Sequence, residues 1–547
     1  MSPLNAGALV AQVLKQAGVK NLFTLCGGHI APIYLAAAKM GIRVIDTRHE
    51  QAAAHAADGW ARQTRSLGVV VVTAGPGATD AVTGVANAFF ANTPMLVLGG
   101  AAPVKESDRG ALQEMNQIEL FKPITKWARR VTEPDRVGEY VATAIRQATS
   151  GLPGPVYLEL PIDVLLAPIN AEEMSRQHSL FAAEPSAASA DGIMIAASML
   201  NSAHAPVILG GSNLWWGEAH EAFEKMAAKL NAPIFLNGLA RGCIAPAHPL
   251  FFQHARKEAF KQADVVVIVG TPLDFRLGYG KFNPKAKLIL IDKTDTHFGQ
   301  NRNHDVGLAG DLSLVLQELT DAIHPVALRQ EWFDFIKQAE QKMHAELEKM
   351  MQSDALPMNH YRLLAEVIKF IDDKTIVIGD GGDFVACASR VVPVLKPGNW
   401  MDPGPFGCLG VGPSFALAAK LAKPDHKVLI LHGDGSFGLN GMEFDTAIRH
   451  HLPIVSLIGN DSGWGQIRNP QVALLGEKAS IATDLAETRY EKMVEALGGY
   501  GEWVEKPEEV VPALKRAFSM GVAGCVNVRI DPKTLRGTVD LMRGLSI

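Results

Sequence analysis

The sequence predicts an α/β protein built from three doubly wound parallel-sheet domains. Its 547 residues are enough for about three domains of ordinary size. Short apolar runs rich in Val, Ile and Leu recur along the chain, with helical stretches between them. Each run ends in Gly, Pro or a polar residue, which is typical of strands buried on both faces of a parallel sheet. We therefore expect domains at residues 1–165, 190–325 and 355–547.

Composition limits the class of partner. The formal net charge is −5, from 52 basic and 57 acidic residues, which gives no reason to expect nucleic acid or an anionic membrane. The five cysteines are scattered and form no CxxC pair, so we expect a reducing compartment. No basic segment precedes an apolar stretch at the start, and no uncharged apolar run reaches the roughly 20 residues that span a bilayer. Together these features predict a soluble, cytoplasmic, multidomain protein.

The predicted strands fall into three sets. The first set comprises NLFTLCG, IRVIDT, LGVVVVTAG, PMLVLGG and GPVYLELP, and a polar linker follows near residues 165–190. The second set comprises APVILGG, APIFLNG, ADVVVIVG and AKLILID, and RQEWFDFIKQAEQKMHAELEKMMQ then predicts a charged bridging helix. The third set comprises TIVIGDGGD, KVLILHGDG, LPIVSLIGND and GCVNVRI. The first and third sets predict the same kind of open sheet, which binds ligands outside the carboxyl ends of its strands.

The strongest local signal is the segment HGDGSFGLNGMEFDTAIRHHLPIVSLIGNDSGWG, residues 432–465. Asp434 follows one predicted strand and Asp461 follows the next, 27 positions later. If these strands are parallel neighbours, both carboxylates lie at one edge of the sheet, where they suit a hard cation such as Mg²⁺. The adjacent glycines allow backbone N–H groups to approach a phosphate. GDG in isolation is more often a plain turn, but the second strand and its Asn-Asp pair favour the metal-phosphate interpretation.

A second signal lies in RHEQAAAHAADGWAR, where the strand IRVIDT runs directly into a helix. Glu50 stands at this join. It is either a capping residue of the first helical turn or a carboxylate aimed at a group that exchanges a proton.

The GDG segment resembles the metal-diphosphate motif of the thiamine diphosphate enzymes, in which an Asn-rich turn follows about thirty residues later. The resemblance extends over essentially the whole chain and implies thiamine diphosphate and Mg²⁺ as cofactors. It implies that Mg²⁺ is held by the Asp434 and Asp461 side chains and the Gly463 carbonyl. Most relatives have Asn where Asp461 stands, and the extra charge makes the diphosphate site less positive. The other cofactor-binding residues that it implies in this segment are Gly433, Gly435, Ser436 and Trp464.

By the same resemblance, Glu50 hydrogen-bonds the pyrimidine ring nitrogen and favours the imino tautomer that removes the thiazolium C2 proton. Family members place this glutamate across a subunit boundary from the diphosphate, which implies a homodimer or homotetramer with active sites at subunit interfaces. In DPGPFGCLGVGPSFALAAKLAKP, the Gly407 carbonyl accepts from the 4′-amino group and Leu409 separates the two rings. In DGGDF, the resemblance implies that Gly382 and Asp383 contact the diphosphate. The plainer alternatives are an ordinary core leucine for Leu409 and an ordinary glycine turn for DGGDF.

Two further residues complete the implied catalytic set. His29, in CGGHI, aligns with an active-site histidine of benzaldehyde lyase and of 2-hydroxyacyl-CoA lyases, and it suits proton transfer at a hydroxyl or carbonyl oxygen. Gln113, in GALQEMNQ, stands where relatives keep a glutamine that faces the substrate oxygen. A turn histidine satisfied by backbone and a solvated helix glutamine are the structural alternatives.

The middle third resembles the domain that binds FAD in acetolactate synthases and ADP in oxalyl-CoA decarboxylase and 2-hydroxyacyl-CoA lyases. The resemblance lies in LGGS, GTPLDFRLGYG, LIDKTD and GLAGDL. Pro272 stands where those relatives usually have Arg, and Arg276 is the candidate replacement. A fold that has lost its ligand is the alternative.

The chain as a whole resembles the acetolactate-synthase-like proteins that act as 2-hydroxyacyl-CoA lyases. The implied reaction cleaves a 2-hydroxyacyl-CoA into an aldehyde and formyl-CoA, and its reverse is an acyloin condensation. The alternative enzyme is an acetolactate synthase or another carboligase of 2-keto acids or aldehydes. It differs in whether the tail DPKTLRGTVDLMRGLSI, with Lys533, Arg536 and Arg543, closes over a CoA arm. A non-catalytic regulatory subunit that binds thiamine diphosphate is the alternative of another class.

Overall fold

The computed structural model describes residues 5–180 and 184–533. Within these ranges the strands form three sheets of six, five and six strands, and every pair of neighbouring strands in them is parallel. The predicted class of three parallel-sheet α/β domains is therefore confirmed. The boundaries 1–165, 190–325 and 355–547 themselves stay a prediction. Of the tail residues, Lys533 is described, whereas Arg536 and Arg543 lie outside the described residues.

The strands follow the apolar runs. The first sheet contains β1 (Asn21–Thr24), β2 (Arg43–Asp46), β3 (Gly68–Val72), β4 (Met95–Ala101), β5 (Ala128–Arg130) and β6 (Pro155–Pro161). The second contains β7 (Pro206–Gly210), β8 (Ile234–Leu236), β9 (Val265–Val269), β10 (Lys287–Asp292) and β11 (Val306–Ala309). The third contains β12 (Thr375–Asp380), β13 (Trp400–Met401), β14 (Lys427–Gly433), β15 (Val455–Asn460), β16 (Tyr500–Val504) and β17 (Gly524–Arg529). Short strands β5, β11, β13 and β16 lie outside the predicted strand runs.

The helices connect these strands. Those of the first third are α1 (Ala6–Gln16), α2 (Ala31–Lys39), α3 (Glu50–Thr64), α4 (Pro76–Phe90), α5 (Gln117–Phe121), α6 (Val137–Thr149), α7 (Ile162–Leu166) and α8 (Ala171–Ser175). Those of the middle are α9 (Ala190–Asn201), α10 (Asn213–Trp216), α11 (His220–Leu230), α12 (Arg256–Gln262), α13 (Leu312–Ala322) and the predicted bridging helix α14 (Gln330–Met351). Those of the last third are α15 (His360–Ile368), α16 (Asp383–Val391), α17 (Gly412–Ala422), α18 (Asp434–Asn440), α19 (Glu443–Arg449), α20 (Gly465–Leu475), α21 (Tyr490–Ala496) and α22 (Pro507–Ser519). Single 3₁₀ turns occur at Gly28–Ile30, Val104–Glu106, Lys122–Ile124, Pro134–Arg136, Gly238–Ala240 and Glu477–Ala479, and a kinked 3₁₀ segment occurs at Phe275–Gly280.

The first and third sheets share one strand order. The first runs β2-β1-β3-β4-β6-β5 and the third runs β13-β12-β14-β15-β17-β16, so each begins with its second strand and reverses its last two. Their central strands are buried on both faces because helices cover both sides, as the apolar runs predict. Both sheets therefore direct the loops after their first, third and fourth strands to one edge.

Helix α3 joins the first domain to the third. Gly59 lies against α17, where an added Cβ would come 2.9 Å from Phe415 Cα, so only glycine permits this approach. Further along α3, the buried Arg62 guanidinium pairs with Asp58 and donates to the carbonyl of Asp402. The helix that begins at the predicted catalytic glutamate is thus fixed at its other end by the third domain.

Candidate active site

Most of the residues predicted for the third domain surround one pocket at the carboxyl ends of β12, β14 and β15. We call it the glycine pocket, and the predicted residues that line it are Gly382, Asp383, Leu409, Gly433, Asp434, Gly435, Ser436, Asp461, Gly463 and Trp464. Strands β14 and β15 are parallel neighbours, with Gly433 opposite Gly459, so the two carboxylates do meet at one edge. Gly407 is predicted for the same site but does not line this pocket in the described chain.

The two aspartates form the acidic centre of the glycine pocket. Asp434 begins α18, and its carboxylate accepts from the N–H groups of Gly435 at 2.9 Å and Gly463 at 3.0 Å. Burial raises the pKa of Asp434. Burial, together with the charge of Asp434, also raises the pKa of Asp461 to about 8. The two buried carboxyl groups do not readily carry a negative charge at the same time. A hard divalent cation bound by their oxygens would stabilise both charges.

The glycines give the pocket its space. An added Cβ on Gly435 would lie 2.7 Å from the Trp464 ring, and one on Gly382 would lie 2.6 Å from Gln466 Oε1. Any side chain at these positions would therefore displace a pocket wall. The pocket fits a group that approaches the backbone closely, as a diphosphate does.

Two buried polar groups support this pocket from behind. Asp380, which the sequence analysis did not single out, accepts from the N–H groups of Gly410 at 2.9 Å and Gly412 at 2.6 Å. It thereby holds the loop that carries Leu409. The Ser436 hydroxyl, predicted to bind the cofactor, lies 2.6 Å from the carbonyl oxygen of Asp380, so in this structure it ties β12 to α18.

The predicted catalytic residues gather at the carboxyl edge of the first sheet, around the turn formed by residues 73–77. His29 Nδ1 lies 3.2 Å from the Thr73 hydroxyl oxygen. An added Cβ on Gly77 would come 3.3 Å from Glu50 Oε1. An added Cβ on Gly75 would come 2.9 Å from Gln113 Cβ. One turn thus brings Glu50, His29 and Gln113 together, although their roles stay a prediction.

Glu50 is the first residue of α3 and its side chain is buried. The N-cap of the helix is His49, whose Nδ1 accepts from the Gln51 N–H at 3.1 Å. The capping function is thus already filled by His49. Burial raises the pKa of Glu50, and the nearby Asp80 carboxylate adds to this rise. A carboxyl group of this kind can share its proton with a ring nitrogen.

His29 and Gln113 differ in how firmly they are held. Burial lowers the pKa of His29, so its ring is neutral near pH 7 and can accept a proton. Gln113 is half-buried and adopts a left-handed backbone conformation, with φ of 62°.

The same GALQEMNQ segment contains a glutamine that the sequence analysis missed. The fully buried Gln117 accepts from the Gly75 N–H at 2.9 Å and donates to Glu159 at 3.0 Å and to the Gly100 carbonyl at 3.0 Å. Only its position in the same short motif could have drawn attention to it.

The two halves of the site do not share a pocket within one chain. Glu50, His29 and Gln113 do not line the glycine pocket in the described structure. Glu443, on α19, connects the third domain to the first. Its carboxylate accepts from the N–H of Arg48, just before α3, at 2.9 Å and from the Thr446 hydroxyl at 2.6 Å. Burial raises the pKa of Glu443 to about 7.

Arg276, the residue of the central domain predicted to contact a nucleotide, already pairs with a carboxylate of this chain. The Arg276 guanidinium donates to the Asp274 carboxylate at 2.6 Å. Nearby, the buried Asp292 at the end of β10 accepts from the Asn213 amide at 2.7 Å and from the Lys293 N–H at 2.7 Å. Burial raises the pKa of Asp292.

Three family models match the chain in the order of its sheets. They are the N-terminal TPP binding domain of thiamine pyrophosphate enzymes at residues 4–120, the central domain at 193–319 and the C-terminal TPP binding domain at 380–528. Thiamine pyrophosphate is another name for thiamine diphosphate. The chain therefore belongs to the thiamine pyrophosphate enzyme family and is an enzyme that uses this cofactor on a small-molecule substrate.

The similar curated proteins divide between two names. The chain is 40% identical over 532 residues to the acetolactate synthase large subunit IlvG of Mycobacterium tuberculosis, covering 97% of this chain and 96% of that protein. It is 39% identical over 558 residues to 2-hydroxyacyl-CoA lyase 2 of Bos taurus, covering 94% and 88%. It is 37% identical over 554 residues to 2-hydroxyacyl-CoA lyase 2 of Homo sapiens, covering 94% and 87%. Both enzyme names match the interpretations drawn from the sequence.

No helix within residues 5–180 or 184–533 combines the length and the apolar character that crossing a membrane requires.

Proposed function

We propose that the protein is a Mg²⁺- and thiamine diphosphate-dependent carbon–carbon lyase that cleaves a 2-hydroxyacyl-CoA into an aldehyde and formyl-CoA. The observation that carries this proposal is His29. Its Nδ1 lies 3.2 Å from the Thr73 hydroxyl, and its Nε2 has no hydrogen-bond partner within the described residues. A 2-hydroxyl group must lose its proton as the neighbouring bond breaks, and a neutral imidazole beside Glu50 is suited to accept it.

Each residue of the site has a role in this reaction. Bound thiamine diphosphate supplies a carbon nucleophile and an electron sink. Asp434, Asp461 and the Gly463 carbonyl would hold Mg²⁺, and the glycine pocket would admit the diphosphate. Glu50 would hydrogen-bond the pyrimidine ring nitrogen, Leu409 would separate the two rings, and the Gly407 carbonyl would accept from the 4′-amino group.

The bonds of the reaction balance without an outside reagent. His29 takes the proton of the 2-hydroxyl as the bond between C1 and C2 breaks, and the aldehyde leaves. C1 receives a proton in its place and departs as formyl-CoA. In the reverse direction the same residues join formyl-CoA to an aldehyde. Gln113 hydrogen-bonds the substrate oxygen and keeps it in line with His29.

The second candidate is an acetolactate synthase or another carboligase of 2-keto acids or aldehydes. It is supported by the 40% identity to the acetolactate synthase large subunit IlvG. A 2-keto acid carries no 2-hydroxyl proton, so in this reaction His29 would act on a hydroxyl of the product and not of the substrate. An inactive regulatory subunit is disfavoured because Glu50, His29 and Asp434 are all present.

A product assay tests the two candidates. The purified protein with Mg²⁺ and thiamine diphosphate receives a 2-hydroxyacyl-CoA in one reaction and pyruvate in another. We expect formyl-CoA and an aldehyde from the first reaction, and their loss in the His29→Asn variant. Acetolactate from the second reaction alone would replace the lyase by the synthase, and Glu50→Gln serves as the inactive control for both.

We infer that the complete active site forms between subunits of a homodimer or homotetramer. This is supported by the separation of Glu50, His29 and Gln113 from the glycine pocket within one chain. Mixing two inactive variants, Glu50→Gln and Asp434→Asn, tests the inference. If sites form between chains, one site of each mixed dimer is intact, and about one quarter of the wild-type activity returns. If each chain carries a whole site, mixing restores nothing.

For the central domain we infer a site for ADP or FAD at the carboxyl ends of its strands. It is supported by the close approach of Gly211, whose added Cβ would come 2.3 Å from Thr271 Cβ, and by Arg276 beside it. The pairing of Arg276 with Asp274 means that a nucleotide phosphate competes with a carboxylate for this cation. Chromatography of the small molecules released on denaturation distinguishes ADP, FAD and an empty site.

We also infer a cytoplasmic location. It is supported by the five cysteines, all of which lie in the described residues and carry free thiols. Fluorescence microscopy of the tagged protein tests it.

A further inference from the structure

The glycine pocket lacks a positive side chain on its wall. No Lys or Arg is among the described residues that line it, and its one histidine, His360, is buried with a pKa lowered by burial to about 4. The pocket does carry three carboxylates, Asp383, Asp434 and Asp461. A diphosphate held here would therefore face three acidic side chains, whose charge Mg²⁺ would partly balance, and otherwise only uncharged backbone and side-chain donors.

One cation pairs with Asp461, although it does not line the pocket. Arg468 lies on α20, and its Nη2 is 2.8 Å from Asp461 Oδ2. Its side chain is only 12% exposed, so the pairing is poorly screened by solvent. The guanidinium also packs against the backbone at Gly463, because an added Cβ there would come 2.2 Å from Arg468 Nη1. The N–H of Gly463 donates in turn to Asp434 at 3.0 Å.

The remaining contacts of Arg468 do not account for its position. Its Nη2 donates to the Pro532 carbonyl at 3.1 Å, and its Nη1 is 3.7 Å from a carboxylate oxygen of Asp484, which is 64% exposed. The first is a neutral contact and the second is a long surface pair of small value. The short, buried charge pair is the one with Asp461.

We propose that Arg468 is a positioning residue that neutralises Asp461 and so allows the glycine pocket to accept a diphosphate beside three carboxylates. The proposal rests on the proposed cofactor site but not on the identity of the substrate. Arg468 pairs with Oδ2 of Asp461, and the carboxylate would still offer Oδ1 to a divalent cation. Arg468 also positions the loop at Gly463 by packing against it.

The charge pairing has a signature that a merely structural contact lacks. Removing the cation makes the pocket more negative, so a divalent metal alone should bind more tightly while the diphosphate binds more weakly. A disordered loop would weaken both. Further removal of the Asp461 charge should return diphosphate affinity toward its original value.

The experiment measures two affinities on the full-length protein without any substrate. Mn²⁺ binding is followed by electron paramagnetic resonance in the absence of cofactor, and thiamine diphosphate binding is followed by calorimetry at saturating Mg²⁺. For Arg468→Gln we expect thiamine diphosphate to bind about tenfold more weakly and Mn²⁺ several-fold more tightly, because an uncompensated buried charge is costly. Arg468→Lys should stay within a few-fold of wild type, and Arg516→Gln, which removes an exposed cation of α22, should change neither affinity.

The double variant Asp461→Asn with Arg468→Gln decides the outcome. Recovery of thiamine diphosphate affinity to within a few-fold of wild type supports the charge pairing. A double variant as weak as Arg468→Gln, or weakening of both affinities in Arg468→Gln, would overturn it. Should Arg468→Gln not fold, the double variant is compared with Asp461→Asn, and a further tenfold loss would equally overturn the proposal. A wild-type protein that binds cofactor but releases no formyl-CoA contradicts only the lyase assignment.

Discussion

The first and third sheets have the same strand order and yet present opposite chemistry at the same edge. In the first, the loops after the strands carry imidazole, carboxyl and amide side chains, those of His29, Glu50 and Gln113. In the third, the loops at the same edge carry glycines and the carboxylates Asp434 and Asp461. The sheet sets where the loops emerge, and the loop sequence alone determines what each edge can do.

The two edges also deal differently with buried carboxyl groups. Burial raises the pKa of Glu50 in the first domain and of Asp434 and Asp461 in the third. Glu50 is buried, whereas its neighbour Asp80 is exposed, so Glu50 is suited to sharing its proton with a bound group. The aspartates stand as a pair and are suited to sharing a cation. In the proposed function, the same physical cost would be met by hydrogen bonding at one edge and by metal binding at the other.

The largest effect is expected at the first edge. Glu50→Gln should lower kcat by at least about a hundredfold, because the proton-sharing carboxyl is lost, while folding and thiamine diphosphate affinity stay near wild type. Turnover measurements, circular dichroism and calorimetry check the three parts. Retention of activity within a few-fold would contradict the assigned role of Glu50. Loss of thiamine diphosphate binding would indicate that Glu50 supports the structure of the cofactor site instead.

The contact between the edges should give a pH-dependent stability. The pKa of Glu443 is raised by burial to about 7 from its ordinary 4.5. The folded state therefore holds a proton that the unfolded state releases between these values, so the stability falls as pH rises and levels off above about pH 7. At about 1.36 kcal/mol per unit of pKa, Glu443→Gln should relieve roughly 3 kcal/mol of this loss.

Melting temperatures of the wild type and Glu443→Gln, recorded from about pH 5 to pH 8, measure this difference. The gap should widen with pH in favour of the variant. Asp445→Asn, on the same helix, is the control for removing a carboxylate that pairs with Arg449 at the surface. A gap that stays constant with pH would show that Glu443 is not protonated in the folded protein.

A pair of glycines in α18 tests the space at the third edge. Gly435→Ala places a methyl group 2.7 Å from the Trp464 ring, and overpacking of this kind costs about 1–3 kcal/mol. We expect weaker thiamine diphosphate binding and a shifted tryptophan emission. Gly438→Ala is the matched control, because its methyl group would meet no atom within 4 Å. Equal losses in both variants would indicate a general effect on the helix.

The smallest effect is expected at the surface where the two domains meet. Asp46 pairs with Arg449 at 2.6 Å and with His450 at 2.8 Å, but its side chain is 48% exposed. Asp46→Asn should change the free energy of unfolding by less than about 1 kcal/mol, as chemical denaturation would measure. A larger loss would mean that this pair holds the two sheets in place.

The sequence was informative where the signal is local. The apolar runs predicted the central strands, and GDG with the later Asn-Asp pair predicted the neighbouring strands whose carboxylates meet. It was less informative at short edge strands such as β13 and β16, which lack a long apolar run. Gln117, Asp380 and Glu443 were missed because their partners lie far away in sequence, and no spacing or motif marks such contacts.

The buried Arg62 at the far end of α3 constrains how this protein can be built and recombined. The Arg62 guanidinium donates to the carbonyls of Asp402 and Pro403 at 2.6 and 3.3 Å. The Trp215 indole donates to the backbone carbonyl of Arg62 at 2.8 Å. During synthesis, residues 402–403 emerge long after α3, so until then this guanidinium lacks its carbonyl partners. Helix α3 is a rigid rod of about 22 Å. The contacts of Arg62 with residues 402–403, more than three hundred positions later in the sequence, therefore help to fix the position of Glu50 at the other end of the helix. A chimera that takes its first domain from a relative should therefore keep Glu50 in place only when the loop at residues 402–403 is taken from the same relative.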